Sequence, residues 1–186
     1  MPPISPILTE RLLLRDFVHD DWTAVHRYGS DPEVMRWLSL PPNTEEITQR
    51  FLARKTEVQW QEQRSSFELA VTLAPKGELI GSCRVSMVNP AQREASIGYV
   101  LRRDMWGNGY TTEAAREILR MGFEQLGAHR VFATCDAGNV ASYRVMEKLG
   151  MRREGRHAQD RWVPTLERWR DTFHYAILED EWRSSQ

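Results

Sequence analysis

The stretch Trp106-Gly107-Asn108-Gly109-Tyr110-Thr111 constrains the fold more than any other, because of what flanks it. Before it, Ala95–Leu101 is a short β-branched and aromatic run that predicts a strand. After it, Ala115, Ile118, Leu119, Gly122, Phe123 and Leu126 recur at helical spacing and give a helix one apolar face. Arg130–Cys135 then predicts a second strand. In a strand, Gly-x-Gly turn, helix and strand series, the glycines let backbone amides converge on one point. The helix start adds its own unpaired N–H groups and the positive end of its dipole. The expectation is an anion site suited to phosphate or pyrophosphate.

Three readings compete for this turn. A P-loop is excluded, since no Lys-Ser/Thr pair follows the glycines at the required spacing. A dinucleotide-binding turn fits Gly107 and Gly109, with Asp136 placed as a ribose-binding acid. Against it, Thr112 stands at the third glycine position and the turn comes late in the chain. A purely structural turn is the third reading.

The rest of the chain reads as alternating short elements. Ile7–Arg15 predicts a first strand, Asp20 the cap of a short helix through Tyr28, and Asp31-Pro32 a firmer helix start. Pro41-Pro42 breaks the chain. Asn43 followed by Glu46 resembles a capping box opening a helix toward Gln63. Phe67 to Leu73 alternates apolar and polar residues as a half-buried strand does. Pro75-Lys76-Gly77 turns it into Leu79–Val88, and Asn89-Pro90 turns that into the strand ending at Leu101. Short turns make these three strands an antiparallel meander, whereas the later strand–helix–strand unit requires parallel strands. Ser39–Asn43 and the polar stretch 156–170 are expected to be loops.

With 186 residues and no internal repeat or linker, one domain spanning 1–186 is expected. A formal charge of -1 from 25 basic and 26 acidic residues implies no general attraction to nucleic acid or to an anionic membrane. No apolar run approaches a membrane span, and the N-terminus lacks a basic-then-apolar leader pattern. Cys83 and Cys135 are too few for a disulfide framework; reduced, buried thiols fit a cytoplasmic protein. Seven tryptophans are enough to supply flat walls to a ligand pocket as well as core.

Three further stretches carry a resemblance. Ile97-Gly98-Tyr99-Val100-Leu101 with Trp106 to Ala114, Thr9 to Arg15, and Asn139 to Met151 together resemble the GNAT N-acetyltransferases. The branch with ribosomal-protein N-terminal acetyltransferases is the most similar. With the ending Tyr175 to Trp182, the likeness runs over nearly the whole chain. It implies an α/β (α+β) GNAT fold, with a mixed central sheet of about seven strands flanked by helices. In that fold the parallel central strands splay apart and pantetheine inserts between them. It also implies acetyl-CoA as cosubstrate and a primary amine as acceptor, either a protein N-terminus or an amino-bearing small molecule. Transfer would be direct in a ternary complex, by a monomer or homodimer, with no metal, nucleic acid or membrane partner.

The resemblance assigns the pyrophosphate to Trp106, Gly107, Asn108, Gly109, Tyr110 and Thr111. It assigns pantetheine pairing to Tyr99, Val100 and Leu101, and oxyanion donation to an N–H near Val100. One departure is Asp104, where the family often has Gln or Arg. Asp104 is expected to point away, with Arg102 or Arg103 supplying attraction. The tyrosine that many relatives use as proton donor is replaced by Met146. Ser142, one helical turn earlier on the same face, is the favoured donor to the thiolate and Tyr143 the alternative. Ser142 and Asn139 also suit coenzyme contact, although each fits a helix-start role.

For the base, related sequences often carry Glu where this chain has Ser96. Glu94 lies on the same strand face and is the candidate, with Asp136 and a water relay as alternatives. His129 and His157 are of the residue type suited to proton transfer near neutrality, but have no Cys or carboxylate at metal-ligand spacing around them. Acceptor recognition is expected from 28–40, including Trp37, and from His157, Asp160, Arg161 and Trp162. Two other functions remain: a dinucleotide-dependent oxidoreductase and a catalytically silent acyl-CoA-binding sensor.

Overall fold

The computed structural model describes residues 4–38, 40–60 and 63–185. Its framework is one eight-stranded sheet. The strands are β1 (Ile7–Leu8), β2 (Leu12–Arg15), β3 (Ser66–Leu73), β4 (Glu78–Asn89), β5 (Glu94–Leu101), β6 (Arg130–Asp136), β7 (Arg152–Val163) and β8 (Arg168–Leu178). They lie in the order β1-β2-β3-β4-β5-β6-β8-β7, and only β5 and β6 run parallel. The helices are α1 (Trp22–Gly29), α2 (Pro32–Met35), α3 (Glu45–Val58), α4 (Tyr110–Glu124), α5 (Val140–Lys148) and α6 (Glu179–Ser184). No helix among the described residues is long and apolar enough to cross a membrane.

Alternation along β4, β5 and β6 divides the core between the two sheet faces. Ile97, Leu101, Val131 and Ala133 pack with Ile118 and Leu119 of α4 and Met146 of α5. On the opposite face, Val100 and Ala70 pack with Phe17, Val25 and Leu52, under α1 and α3. The sheet thus has one face carrying α4, α5 and the Gly-x-Gly turn, and another carrying α1 to α3.

The meander and the parallel crossover stand as the sequence predicts; several local expectations do not. The first strand is a hairpin, β1 with β2, closed where Thr9 N–H donates to Leu12 O at 2.9 Å and Leu12 N–H to Thr9 Oγ1 at 3.0 Å. The predicted loop 156–170 is the β7–β8 hairpin. Together these give eight strands in place of about seven. Residues 152–162 are mostly exposed, with Val163 alone buried in this strand, so no alternation of hydrophobicity marks them. Helix α3 is capped by Thr44, whose Oγ1 accepts from Ile47 N–H at 3.3 Å, not by Asn43, and it ends at Val58. Asp20 sits within a single 3-10 turn before α1, whereas Asp31 caps α2 as expected, its Oδ1 accepting from Glu33 N–H at 2.9 Å. Ser39, the first residue of the other expected loop, lies outside the described residues.

The strand β5 pairs with β6 only through Glu94–Arg130, Ala95–Val131 and Ser96–Phe132. Both strands continue beyond that last rung, to Leu101 and Asp136, with β4 and β8 holding their outer edges. The sheet therefore opens between its two parallel strands.

Candidate active site

The opening exposes backbone groups whose phase is fixed by neighbouring bonds. Arg102 N–H donates to Ile80 O at 2.8 Å, so in the antiparallel β4–β5 ladder even-numbered residues of β5 bond to β4. Tyr99 and Leu101 consequently direct their N–H and C=O into the opening. Across it, Glu179 N–H bonds to His129 O at 2.9 Å and Ala137 N–H to Asp171 O at 2.9 Å. Odd-numbered residues of β6 thus face β8, and Thr134 turns its main-chain groups toward the opening. Two strand edges lie open to an extended, amide-bearing ligand. The Val100 amide faces β4, so of the N–H groups near Val100 those of Tyr99 and Leu101 open to the gap.

Beyond β5 the chain enters the Gly-x-Gly turn. Gly107 and Gly109 have φ of 79° and 82°, left-handed values that L side chains rarely adopt. Gly109 stands at the N-cap of α4 without a side-chain cap. Among the described residues, no protein acceptor takes the N–H groups of Gly107 to Thr112. The turn is braced from outside. Asn108 Nδ2 donates to Trp106 O at 3.1 Å, Trp106 Nε1 to Leu101 O at 2.9 Å, and Arg11 Nη1 to Asn108 O at 3.0 Å. Glu113, in the first turn of α4, accepts from Thr9 Oγ1 at 2.6 Å and from Arg11 N–H at 2.8 Å. Burial opposes ionisation of Glu113, but those hydrogen bonds and Arg11 hold its carboxyl below the usual range.

A cleft of about 780 Å³ joins the turn, the opening and the far face. On the turn side it is lined by Tyr99, Leu101, Trp106, Gly107, Gly109 and Thr111, with Cys135, Asn139 and Ser142 opposite. On the α1–α3 face the walls are Val34, Trp37, Arg84, Phe132, Thr134 and Arg161. A cleft of this size that passes through a sheet suits a long ligand meeting a second one midway.

Known proteins resemble this chain in sequence and fold. The family model described as acetyltransferase (GNAT) domain matches residues 11–152. The uncharacterized N-acetyltransferase YnaD of Bacillus subtilis (strain 168) is 38% identical over 176 residues, which are 95% of this chain and 98% of YnaD. The chain belongs to the GNAT acetyltransferase family. A crystal structure of a GNAT-family acetyltransferase from Bacillus anthracis has a TM-score of 0.84 at 36% identity, covering 95% of this chain and 99% of that one. RimL, the ribosomal L7/L12 α-N-protein acetyltransferase solved with coenzyme A, shares the fold at TM-score 0.79 and 18% identity. That match covers 95% of this chain and 99% of RimL.

The protein is thus an acetyl-CoA-dependent acetyltransferase of the GNAT family, and the dinucleotide reading falls. The acid that reading needed is occupied: Asp136 is buried, accepts from Gly138 N–H at 2.7 Å, and lies 2.6 Å from Arg170 Nε. Among the other expected site residues, Asn108 and Tyr110 do not line the cleft. Asn108 braces the turn, and Tyr110 lies under the Arg11 guanidinium at 4.7 Å. Asn139 caps α5, its Oδ1 accepting from Ser142 N–H at 3.2 Å, and also lines the cleft. Asp104 does turn to cations, Arg27 at 3.7 Å and Arg102, one of the two expected phosphate partners. Arg102 Nε donates to it at 2.6 Å and donates to Glu78 through Nη1 at 2.8 Å. Arg103 instead faces Asp31 at 3.6 Å. Neither arginine lines the cleft; Arg144 and Lys148 of α5 do.

The proton-handling candidates separate cleanly in this GNAT chain. Tyr99 Oη donates to Ser142 O at 2.9 Å and lies 3.2 Å from Ser142 Oγ. Burial pushes the Tyr99 phenol well up, and pushes the Cys135 thiol up to about 11. Ser142 therefore sits among neutral groups at the cleft wall. Tyr143 turns away, packing edge-on to Phe173 at 5.8 Å outside the lining. Glu94 is bound by Arg130 at the closed end of the β5–β6 pair and also lies outside the lining, which corrects the expected base. No carboxylate or histidine lines the cleft among the described residues.

His129 carries backbone bonds to Arg93 and Glu179 just before the start of β6. His157 stacks on His174 at 3.8 Å and 12°, with donor atoms of His157, Asp160 and His174 within 4.8 Å of one another. That triad is one a cation could share, and spacing alone concealed it because a bulge after His157 carries Asp160 back toward Thr172. Arg84 was also missed. The outward position in β4 that marks it has meaning only beside the opening.

Proposed function

We propose that this enzyme transfers acetyl from acetyl-CoA to a primary amine by direct attack in a ternary complex, with the chain acting as one domain. The coenzyme supplies the acetyl group as a thioester. The free amides of Gly107 to Thr112 bind its pyrophosphate with help from the α4 dipole. Tyr99, Leu101 and Thr134 pair with its pantetheine amides, and Trp106 closes the wall. An N–H of Tyr99 or Leu101 then donates to the thioester oxygen as charge develops there. The Tyr99 hydroxyl fixes Ser142, whose Oγ–H donates to the departing sulfur.

The single observation that supports this reading is the cleft crossing the sheet beyond Ser96 and Phe132, with an anion-binding turn at one mouth and an apolar-cationic pocket at the other. RimL, which shares the fold and was solved with coenzyme A, supports the coenzyme assignment. Ser142→Ala should lower kcat by about 100-fold, the low end for lost acid catalysis, while acetyl-CoA affinity by isothermal titration holds. An unaltered kcat removes Ser142 from the reaction.

Among the described residues no carboxylate or imidazole lines the cleft, which supports loss of the amine's proton to water. The pH profile of kcat/KM should therefore shift with the acceptor's own pKa across a series of amines. A fixed inflection near neutrality for every amine would show a protein base.

A further inference from the structure

Two guanidinium groups on the α1–α3 face stand level with each other on either side of the opening. Gly98 and Thr134 lie at matched positions, each two residues past the last rung, Ser96–Phe132. Arg84 pairs across β4–β5 with Gly98, and its Nη2 lies 3.7 Å from where a Cβ on Gly98 would be, so it rests over bare backbone. Arg161 reaches Thr134 from β7, Nη2 to Oγ1 at 3.5 Å. Neither arginine has a carboxylate partner among the described residues, and both line the cleft.

The acids nearest to them are already engaged. Glu68, the other cross-strand neighbour of Arg84, is bound by Lys55 at 2.6 Å. Asp136 is held by Arg170 at 2.6 Å, and Asp160 accepts from Thr172 Oγ1 at 2.7 Å. The coenzyme mouth has its own cations in Arg144 and Lys148, on the opposite face. Among the described residues no carboxylate lines the second mouth, and cations dominate it.

Resting on the acetyl-transfer reading above, we propose that the acceptor is a primary amine bearing a carboxylate close to its nitrogen, held between Arg84 and Arg161. A guanidinium fork matches a carboxylate in shape as well as charge. Trp37 and Phe132 give the remainder of such a molecule an apolar wall. The same two cations disfavour an ammonium beside them, so the bound amine is shifted toward its neutral, nucleophilic form without a protein base. A polyamine meets only repulsion here.

The test uses the intact enzyme and thiol release from acetyl-CoA with matched acceptors: leucine against isoamylamine, β-alanine against ethylamine, an aminoalkylphosphonate, and spermidine. The expected result is a carboxylate member favoured in kcat/KM by about 10- to 100-fold, the worth of a charge-assisted hydrogen bond. Arg84→Ala and Arg161→Ala should each collapse that ratio toward unity, and Arg84→Lys and Arg161→Lys should restore part of it. Isoamylamine or spermidine turned over as well as leucine overturns the acceptor class while leaving acetyl transfer in place. So does a preference for the phosphonate, or a ratio unmoved in all four variants. No thiol release with any amine overturns the transfer reading and the acceptor class together.

Discussion

Gly109 holds a φ of 82° at the start of α4, and a Cβ there would come within 3.4 Å of Arg11 Nη2. A side chain in that conformation costs about 1–2 kcal/mol before any ligand is considered. Gly109→Val should therefore weaken acetyl-CoA binding by about tenfold or more, read by isothermal titration on protein shown folded by circular dichroism. An unchanged affinity would take the turn out of coenzyme binding. A different residue pair bears on stability alone. Asp16 and Arg64 form a two-pronged ion pair at 2.8 and 2.9 Å with both side chains 6% exposed, and Arg64 lies over Phe67 at 4.5 Å. Asp16→Ala strands a buried guanidinium, so urea denaturation should show a loss of about 3–5 kcal/mol. A loss under about 1 kcal/mol would mean that water reaches Arg64. At this scale the sequence shows the special glycines, since only backbone chemistry explains two of them in one turn. It does not show that Asp136 and Glu94 are taken by Arg170 and Arg130, because those partners arrive from distant strands.

Elements were legible in proportion to how one-sided they are. β5, α4 and β6 bury one face against helices or sheet, so hydrophobic period gave their type and nearly their ends. The β7–β8 hairpin was read as a loop because β7 is an edge strand with few buried residues, held by main-chain pairing and by polar contacts such as the Arg156–Asp171 ion pair. The stacked His157 and His174 make this hairpin sensitive to acid. Burial, then the neighbouring His157, hold the His174 imidazole below its ordinary value of 6.5. A histidine with a lowered folded pKa takes up its proton more readily when unfolded. Its penalty is absent above the ordinary pKa and grows as pH falls through 6.5 toward the folded value. Between about pH 7 and pH 5 the melting temperature of His174→Gln should decline less steeply than that of the wild type. Parallel slopes would show that the stacked pair carries no proton-linked strain.

At the scale of the molecule, the parallel crossover and the antiparallel meander were both readable, because connection length dictates strand direction. The point at which the parallel pair separates, and which amides then face the gap, depend on the ladder phase set by β4 and β8, and no local pattern encodes it. The position of β8 between β6 and β7 has a consequence of its own. The far wall of the cleft, β6, has its outer edge supported by a strand that leaves the ribosome only after α5 and β7. A nascent chain arrested before that strand emerges would carry the glycine turn and α4 yet present β6 with one edge bare. A ligand that needs both walls of the cleft can therefore stabilise the chain only once β8 has paired with β6, and until then that edge is open to mispairing.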